Sequence, residues 1–165
     1  MNNPSAARIP AGALLREVTR MYARAQRVVA DCCRTTSTQC HLLVELDRAG
    51  TPLSLTDLGA RLCLEKSWVS RAVDTMVGRG LVTKEPNPAD ARSWLVTLTP
   101  AGRDTVSALN ESLDTHAERL LATLGPDERA GVAHSLQRLL DALRTDPSAT
   151  CCLPAPARRE TTPCC

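Results

Sequence analysis

Two groups of side chains in this sequence have chemistry to offer: eight cysteines, and a short run that mixes cations, hydroxyls and an indole. The cysteines fall as Cys32-Cys33, Cys40, Cys63, Cys151-Cys152 and Cys164-Cys165. Sequence neighbours bridge one another poorly, because disulfide geometry fits a one-residue separation badly. Adjacent thiolates can instead close on one soft ion, since thiolate-rich sites select soft metals. Trivalent arsenic or antimony takes about three thiolates in a pyramid, mercury takes about two, and structural zinc takes about four tetrahedral ligands. Cys32, Cys33 and Cys40 form one candidate set, with His41 alongside. Cys151, Cys152, Cys164 and Cys165 form another, with Glu160 as the nearby carboxylate. Cys63 stands at an apolar helix-end position and is expected to be a small core residue.

The second group is Lys66-Ser67-Trp68-Val69-Ser70-Arg71. Lysine and arginine suit phosphate oxygens or guanine edges, hydroxyls suit phosphates, and Trp68 could pack on a thymine methyl or on a neighbouring hairpin. Further along, Asp90 and Arg92 close a proline-rich stretch, and an arginine at a loop tip suits the negative potential of a DNA minor groove. Arg16, Arg20, Arg24 and Arg27 repeat at helical spacing, which reads first as a solvated face and second as a row of phosphate contacts.

The elements that must position these residues are legible from periodicity. Leu55, Leu58 and Leu62 lie at helical spacing, and after a break so do Val69, Val73, Met76 and Val77. The second of these helices, Glu65 to Arg79, ends at Gly78-Arg79-Gly80, where glycine can adopt the left-handed conformation. Leu81–Glu85 and Ser93–Leu98 alternate with period two and read as strands. Pro86 to Arg92 is too rich in proline for either element and reads as a hairpin tip. Two short helices followed by a two-stranded ribbon describe a winged helix-turn-helix, the DNA-binding core spanning 53–102.

Long helices flank this core. The first is expected from Ile9 to about Cys33 and the second from about Thr38 to Arg48. After the wing, Thr99-Pro100 opens a third with proline in its first turn, and Gly125-Pro126-Asp127 opens a last one that runs to Arg144. Leu109, Leu113, Leu120, Leu121 and Leu124 are expected to face Val132, Leu136, Leu139, Leu140 and Leu143. Helices this long cannot all bury their apolar sides within one subunit of this size, and the economical solution is an intertwined two-fold dimer. The expected fold class is mainly α with a small β-hairpin wing, a winged helix-turn-helix flanked by long dimerisation helices. It occupies 1–145. Prolines at 147, 154, 156 and 163 mark 146–165 as a flexible, cysteine-tipped tail.

The run Lys66–Arg71, then Gly80-Leu81-Val82, Asp90-Ala91-Arg92-Ser93 and Leu98-Thr99-Pro100-Ala101-Gly102, resembles the MarR-type transcriptional regulators. The four pieces stand in that family's order and spacing, and the likeness extends more loosely over Leu14 to Leu143. It implies an obligate homodimer that binds a palindromic double-stranded DNA operator and is usually released by a small effector. It also implies that Asp90 holds the Arg92 guanidinium in place at the wing tip. Trp68 departs from the pattern, where a small polar residue is common. The stretch from Gln39 to Leu46 behind a Cys-Cys pair, together with the Cys-Cys tail, is similar to MarR-type proteins associated with arsenic handling.

The 165 residues suit one domain with appendages. Hydrophobic content is 43%, with no Phe, one Tyr and two Trp, so the core must be built from Leu, Val and Ala. A net charge of +2 makes the local distribution of cations the relevant quantity. No run approaches the roughly 20 apolar residues of a membrane span, and the N-terminus lacks the layout of a secretion signal. No membrane partner is therefore expected. A cytoplasmic location is, and there the thiols would stay reduced. No βαβ pattern or nucleophile elbow supports an enzyme. No cofactor is expected to be needed for folding. The expected function is a dimeric DNA-binding repressor, the site residues being Lys66, Ser67, Trp68, Ser70, Arg71, Asp90 and Arg92. Its effector would be a thiophile such as As(III) or Sb(III), with Zn behind them. The alternatives are a regulator that senses thiol oxidation and a metal-buffering thiol protein.

Overall fold

The computed structural model describes residues 9–146. Its elements run α1 Ala11–Cys32, α2 Ser37–Ala49, β1 Leu53–Ser54, α3 Leu55–Leu62, α4 Lys66–Gly78, β2 Val82–Asn87, β3 Asp90–Leu98, α5 Pro100–Leu121 and α6 Pro126–Thr145. Most boundaries follow from caps the sequence announces. Thr36 Oγ1 accepts from Gln39 N–H while Gln39 Oε1 accepts from Thr36 N–H, a reciprocal box that starts α2. Ser54 caps α3 and Thr99 caps α5 in the same way, each accepting from the N–H three residues on at 3.0 Å.

The core is an aliphatic cluster inside the winged unit. Leu42, Leu43 and Leu46 of α2, Leu55 and Leu58 of α3, and Val69, Val73 and Met76 of α4 close on Leu81 just before β2, Val82, Val96 and Leu98 of the sheet and Val106 of α5. Val69, Val73 and Met76 lie on one face of α4, so this packing fixes which face of the helix is left outside. Val77, placed on the apolar stripe by spacing alone, is exposed.

The wing is a three-stranded antiparallel sheet of order β1-β3-β2, where a two-stranded ribbon was expected. The added strand is the dipeptide Leu53-Ser54, paired with Val96 and Leu95 and too short to show alternation. The strands also run further than expected, leaving Pro88-Ala89 as the turn. Pro86 sits inside β2, opposite Trp94. It stands in an edge strand, the part of a sheet where proline is tolerated, and the register is irregular just beyond it.

Outside this core the subunit is thinly packed. Ala30 is the buried residue of α1, and α6 buries none. Leu109 of α5 is buried, but Leu120, Leu136, Leu139, Leu140 and Leu143 are each about half exposed. The expected facing of α5 and α6 leucines does not form a core within one subunit, because α5 turns its buried side toward α1 and α2. None of the described helices is long and apolar enough to cross a membrane. The expected tail lies outside the described residues apart from Asp146.

Candidate nucleic-acid interface

With Val69, Val73 and Met76 committed to the core, α4 presents Lys66, Ser67, Trp68 and Arg71 to solvent, with Ser70 half-buried beside them. Glu65 makes no side-chain cap at its start, so the first-turn N–H groups remain available to an anion. Trp68 is 61% exposed, so most of its surface faces solvent. The guanidinium of Arg71 lies over its ring, with Cζ 4.6 Å from the centroid. An internal ion pair would compete for Arg71. None of the ion pairs among the described residues involves it.

The reason lies one turn further along the helix. Asp74, the carboxylate three residues from Arg71, accepts from Lys84 Nζ at 2.7 Å and from Ser70 Oγ at 3.4 Å. Lys84 belongs to β2, its side chain is only 20% exposed, and its ammonium also stands 5.5 Å from the Trp94 ring centroid. This Asp74–Lys84–Trp94 group ties the wing to α4. The Asp74–Lys84 pairing could not be found from spacing because the two residues are on different elements.

At the wing tip Arg92 is exposed. Asp90 Oδ1 accepts from the backbone N–H of Arg92 at 3.0 Å, and no ion pair joins the two side chains. The expected carboxylate–guanidinium contact is thus replaced by a local turn closed on the backbone, the usual habit of a short acidic side chain. Among the described residues the Arg92 guanidinium thus enters no ion pair.

The cysteines are distributed differently from their spacing. Cys32 is exposed and lines a groove between α1 and α5 of about 590 Å³, together with His116 and Arg119. Cys40 lines a separate groove of about 400 Å³ with His41 and Arg27. Its sulfur lies 2.9 Å from Thr35 Oγ1, which donates to Ala30 O at 3.0 Å. Burial pushes the Cys40 thiol above its ordinary range; the Thr35 contact opposes this, nearby Cys33 adds to it and Arg79 works against it. Among the described residues, no three His, Cys, Asp or Glu side chains gather as a metal site. Cys32, Cys33 and Cys40 are therefore not assembled into a trithiolate within one subunit: Cys32 is the last residue of α1, and Cys40 is turned toward Thr35. Cys151, Cys152, Cys164 and Cys165 lie outside the described residues. Cys63, expected in the core, is exposed at φ +51°, where the chain leaves α3. The left-handed turn ends the apolar stripe at Leu62 and swings the next side chain outward.

One further link was invisible in the sequence. Arg79, just past α4, reaches the carbonyl of Cys33 with Nη2 at 3.4 Å, so the α1–α2 junction touches the end of the exposed helix. In α1, Arg20 pairs with Glu17, as a solvated face would.

The comparisons with known proteins agree with this geometry. Residues 35–94 match the MarR family. The multiple antibiotic resistance protein MarR of Salmonella typhimurium is 29% identical over 136 residues, covering 80% of this chain and 92% of that protein. A Bacillus subtilis HTH-type transcriptional regulator, YdgJ, is 25% identical over 87 residues, and that match spans only 53% of its length. Among solved structures, apo MarR from E. coli has a TM-score of 0.73 at 26% identity, covering 80% of this chain and 97% of that one. A mutant of S. aureus MepR bound to an oligodeoxyribonucleotide shares the fold, with a TM-score of 0.61 at 20% identity, covering 81% and 98%. A winged unit with an outward cationic helix, matched in sequence over residues 35–94 and in fold over most of the chain, makes this protein similar to the MarR-type DNA-binding transcriptional regulators.

Proposed function

We propose that two copies of this chain form an intertwined dimer that represses transcription by binding a two-fold symmetric duplex site. The observation that carries this reading is the outward row Lys66, Ser67, Trp68 and Arg71 on a helix whose opposite face is core. Two such helices about 34 Å apart would enter successive major grooves on one side of B-DNA. The half-exposed leucines of α6, with Leu14, Leu15, Val18 and Val28 of α1, supply the apolar surface a second copy would cover. The oligodeoxyribonucleotide bound to the MepR mutant supports a DNA partner for the shared fold. A DNA partner also fits a cytoplasmic location.

In this reading Arg92 enters the minor groove beside each recognition helix. Arg92→Ala should cost about 1–3 kcal/mol of operator binding, measured by gel shift, while the dimer and the fold persist. Unchanged affinity would remove Arg92 from the interface.

The effector in this proposal is a thiophilic metalloid such as As(III), taken up by cysteine thiols. Arsenous acid condenses with three thiols, forming three As–S bonds and releasing three waters, so it does not require a thiol that is already ionised. That suits Cys40, whose burial disfavours the thiolate, better than attack on peroxide would. The described part of one subunit offers no assembled set of three, so the proposal draws on Cys151, Cys152, Cys164 and Cys165 as well as Cys32, Cys33 and Cys40. The Arg79–Cys33 contact offers a short route from the α1–α2 junction to α4.

A gel shift under thiol reductant tests it directly. Arsenite should lower operator affinity with a defined stoichiometry per subunit. Replacing the four tail cysteines by Ser should blunt that response and leave basal binding intact. No arsenite response, together with a peroxide response that reductant reverses, would replace this effector with thiol oxidation. A tail variant that answers arsenite like the full chain would leave Cys32, Cys33 and Cys40 as the site.

A further inference from the structure

Trp68 sets a physical puzzle. A large aromatic side chain stands 61% exposed in the first turn of the recognition helix, outside the buried core. What it touches is Arg71, whose guanidinium carbon lies 4.6 Å from the ring centroid. Arg71 has a carboxylate three residues away on its own helix, yet Asp74 is held by Lys84 at 2.7 Å. The indole face is thus what holds the Arg71 cation. A guanidinium that stacks on a ring face keeps its N–H donors in its own plane around the edge, free for a partner. Those donors are the groups that match guanine O6 and N7 in a bidentate pair.

We propose that Trp68 and Arg71 form one recognition unit, in which the indole is the platform that presents the Arg71 N–H edge to guanine. Trp68 is then a positioning residue for base readout, since the guanidinium occupies the ring face that would otherwise meet a thymine methyl. The Asp74–Lys84 pair is the second half of the device, because it removes the carboxylate that would draw Arg71 along the helix and off the ring. Preorganisation of this kind lowers the ordering cost of a long side chain at the moment of binding. It therefore appears in the preference for one sequence over another more than in binding to DNA at large.

The inference rests on the DNA-binding reading above, and the test separates the two. The full-length protein first selects duplexes from a random-sequence pool. Trp68→Ala, Arg71→Ala, the double variant and Trp68→Tyr are then measured on the selected duplex, on single-base variants of it and on random duplex. Trp68→Ala should lose about tenfold or more on the selected duplex, the scale of one bidentate contact, and lose distinctly less on random duplex, so that the ratio of the two affinities falls. The double variant should bind no worse than Arg71→Ala alone, because each substitution breaks the same unit. Trp68→Tyr should keep most of the preference, since a phenol ring still offers a face to the cation. Relaxation should centre on a guanine in Trp68→Ala and Arg71→Ala alike.

Because both side chains are exposed, unfolding should be unchanged in all four variants, which separates readout from stability. Fully additive losses from the two alanines, or relaxation at different base pairs, would overturn the unit while leaving DNA binding by α4 in place. A wild-type protein that enriches no sequence over random duplex would overturn both readings.

Discussion

Leu136→Asp with Leu140→Asp is expected to give a folded monomer that no longer binds its operator. Both leucines lie on the stripe Leu136, Leu139, Leu140, Leu143 of α6, exposed in the single subunit at 53%, 41%, 43% and 59%. Full burial of one leucine is worth about 1.5–3 kcal/mol, and the two-fold axis would count each substitution twice. Placing carboxylates there adds the cost of taking unpaired charges out of water. The sum is large enough to shift dimerisation by several orders of magnitude, while the winged core, which contains no residue of α6, should keep its helix content. Light scattering at micromolar concentration and a gel shift would show the effect together. A double variant that remains dimeric would place the interface elsewhere. One that is monomeric yet binds at wild-type affinity would break the link between assembly and DNA recognition.

A second large effect is expected inside the subunit, at Gly102. A Cβ there would lie 2.0 Å from the carbonyl oxygen of Leu81 and 3.1 Å from both its carbon and Leu98 Cδ2. The obstruction is backbone, and that carbonyl also accepts from Thr99 N–H at 3.1 Å and Thr99 Oγ1 at 3.0 Å. Nothing there can rotate away, so Gly102→Ala must push the start of α5 off the sheet. The expected loss is about 1–3 kcal/mol or more, read from urea or thermal unfolding. A midpoint equal to that of the unsubstituted protein would show that the close approach does not constrain the fold.

Gly102 also shows what kind of information each level holds. As part of Leu98-Thr99-Pro100-Ala101-Gly102 it helped to mark the family, yet periodicity assigns it no task. Its task exists only where the first turn of α5 meets the backbone of Leu81, between α4 and β2. Local rules were sufficient wherever the cause is local. Threonine and serine before apolar runs capped α2, α3 and α5, and Val69, Val73 and Met76 at helical spacing marked the buried side of α4. With that side known, Lys66, Ser67, Trp68 and Arg71 had to face outward.

Tertiary structure decided the pairings between elements. Asp74 chose Lys84 from a strand, which spared Arg71 for Trp68. Leu53-Ser54 became a strand because β3 offered it an edge. Asp90 turned to a backbone N–H in place of the Arg92 side chain. The cysteines make the same distinction in the opposite sense. Spacing suggests that Cys32, Cys33 and Cys40 could share an ion, but the end of α1 and the turn toward Thr35 send Cys32 and Cys40 to different grooves. Sequence proximity sets how far apart side chains can be. Helix phase and packing set whether they meet.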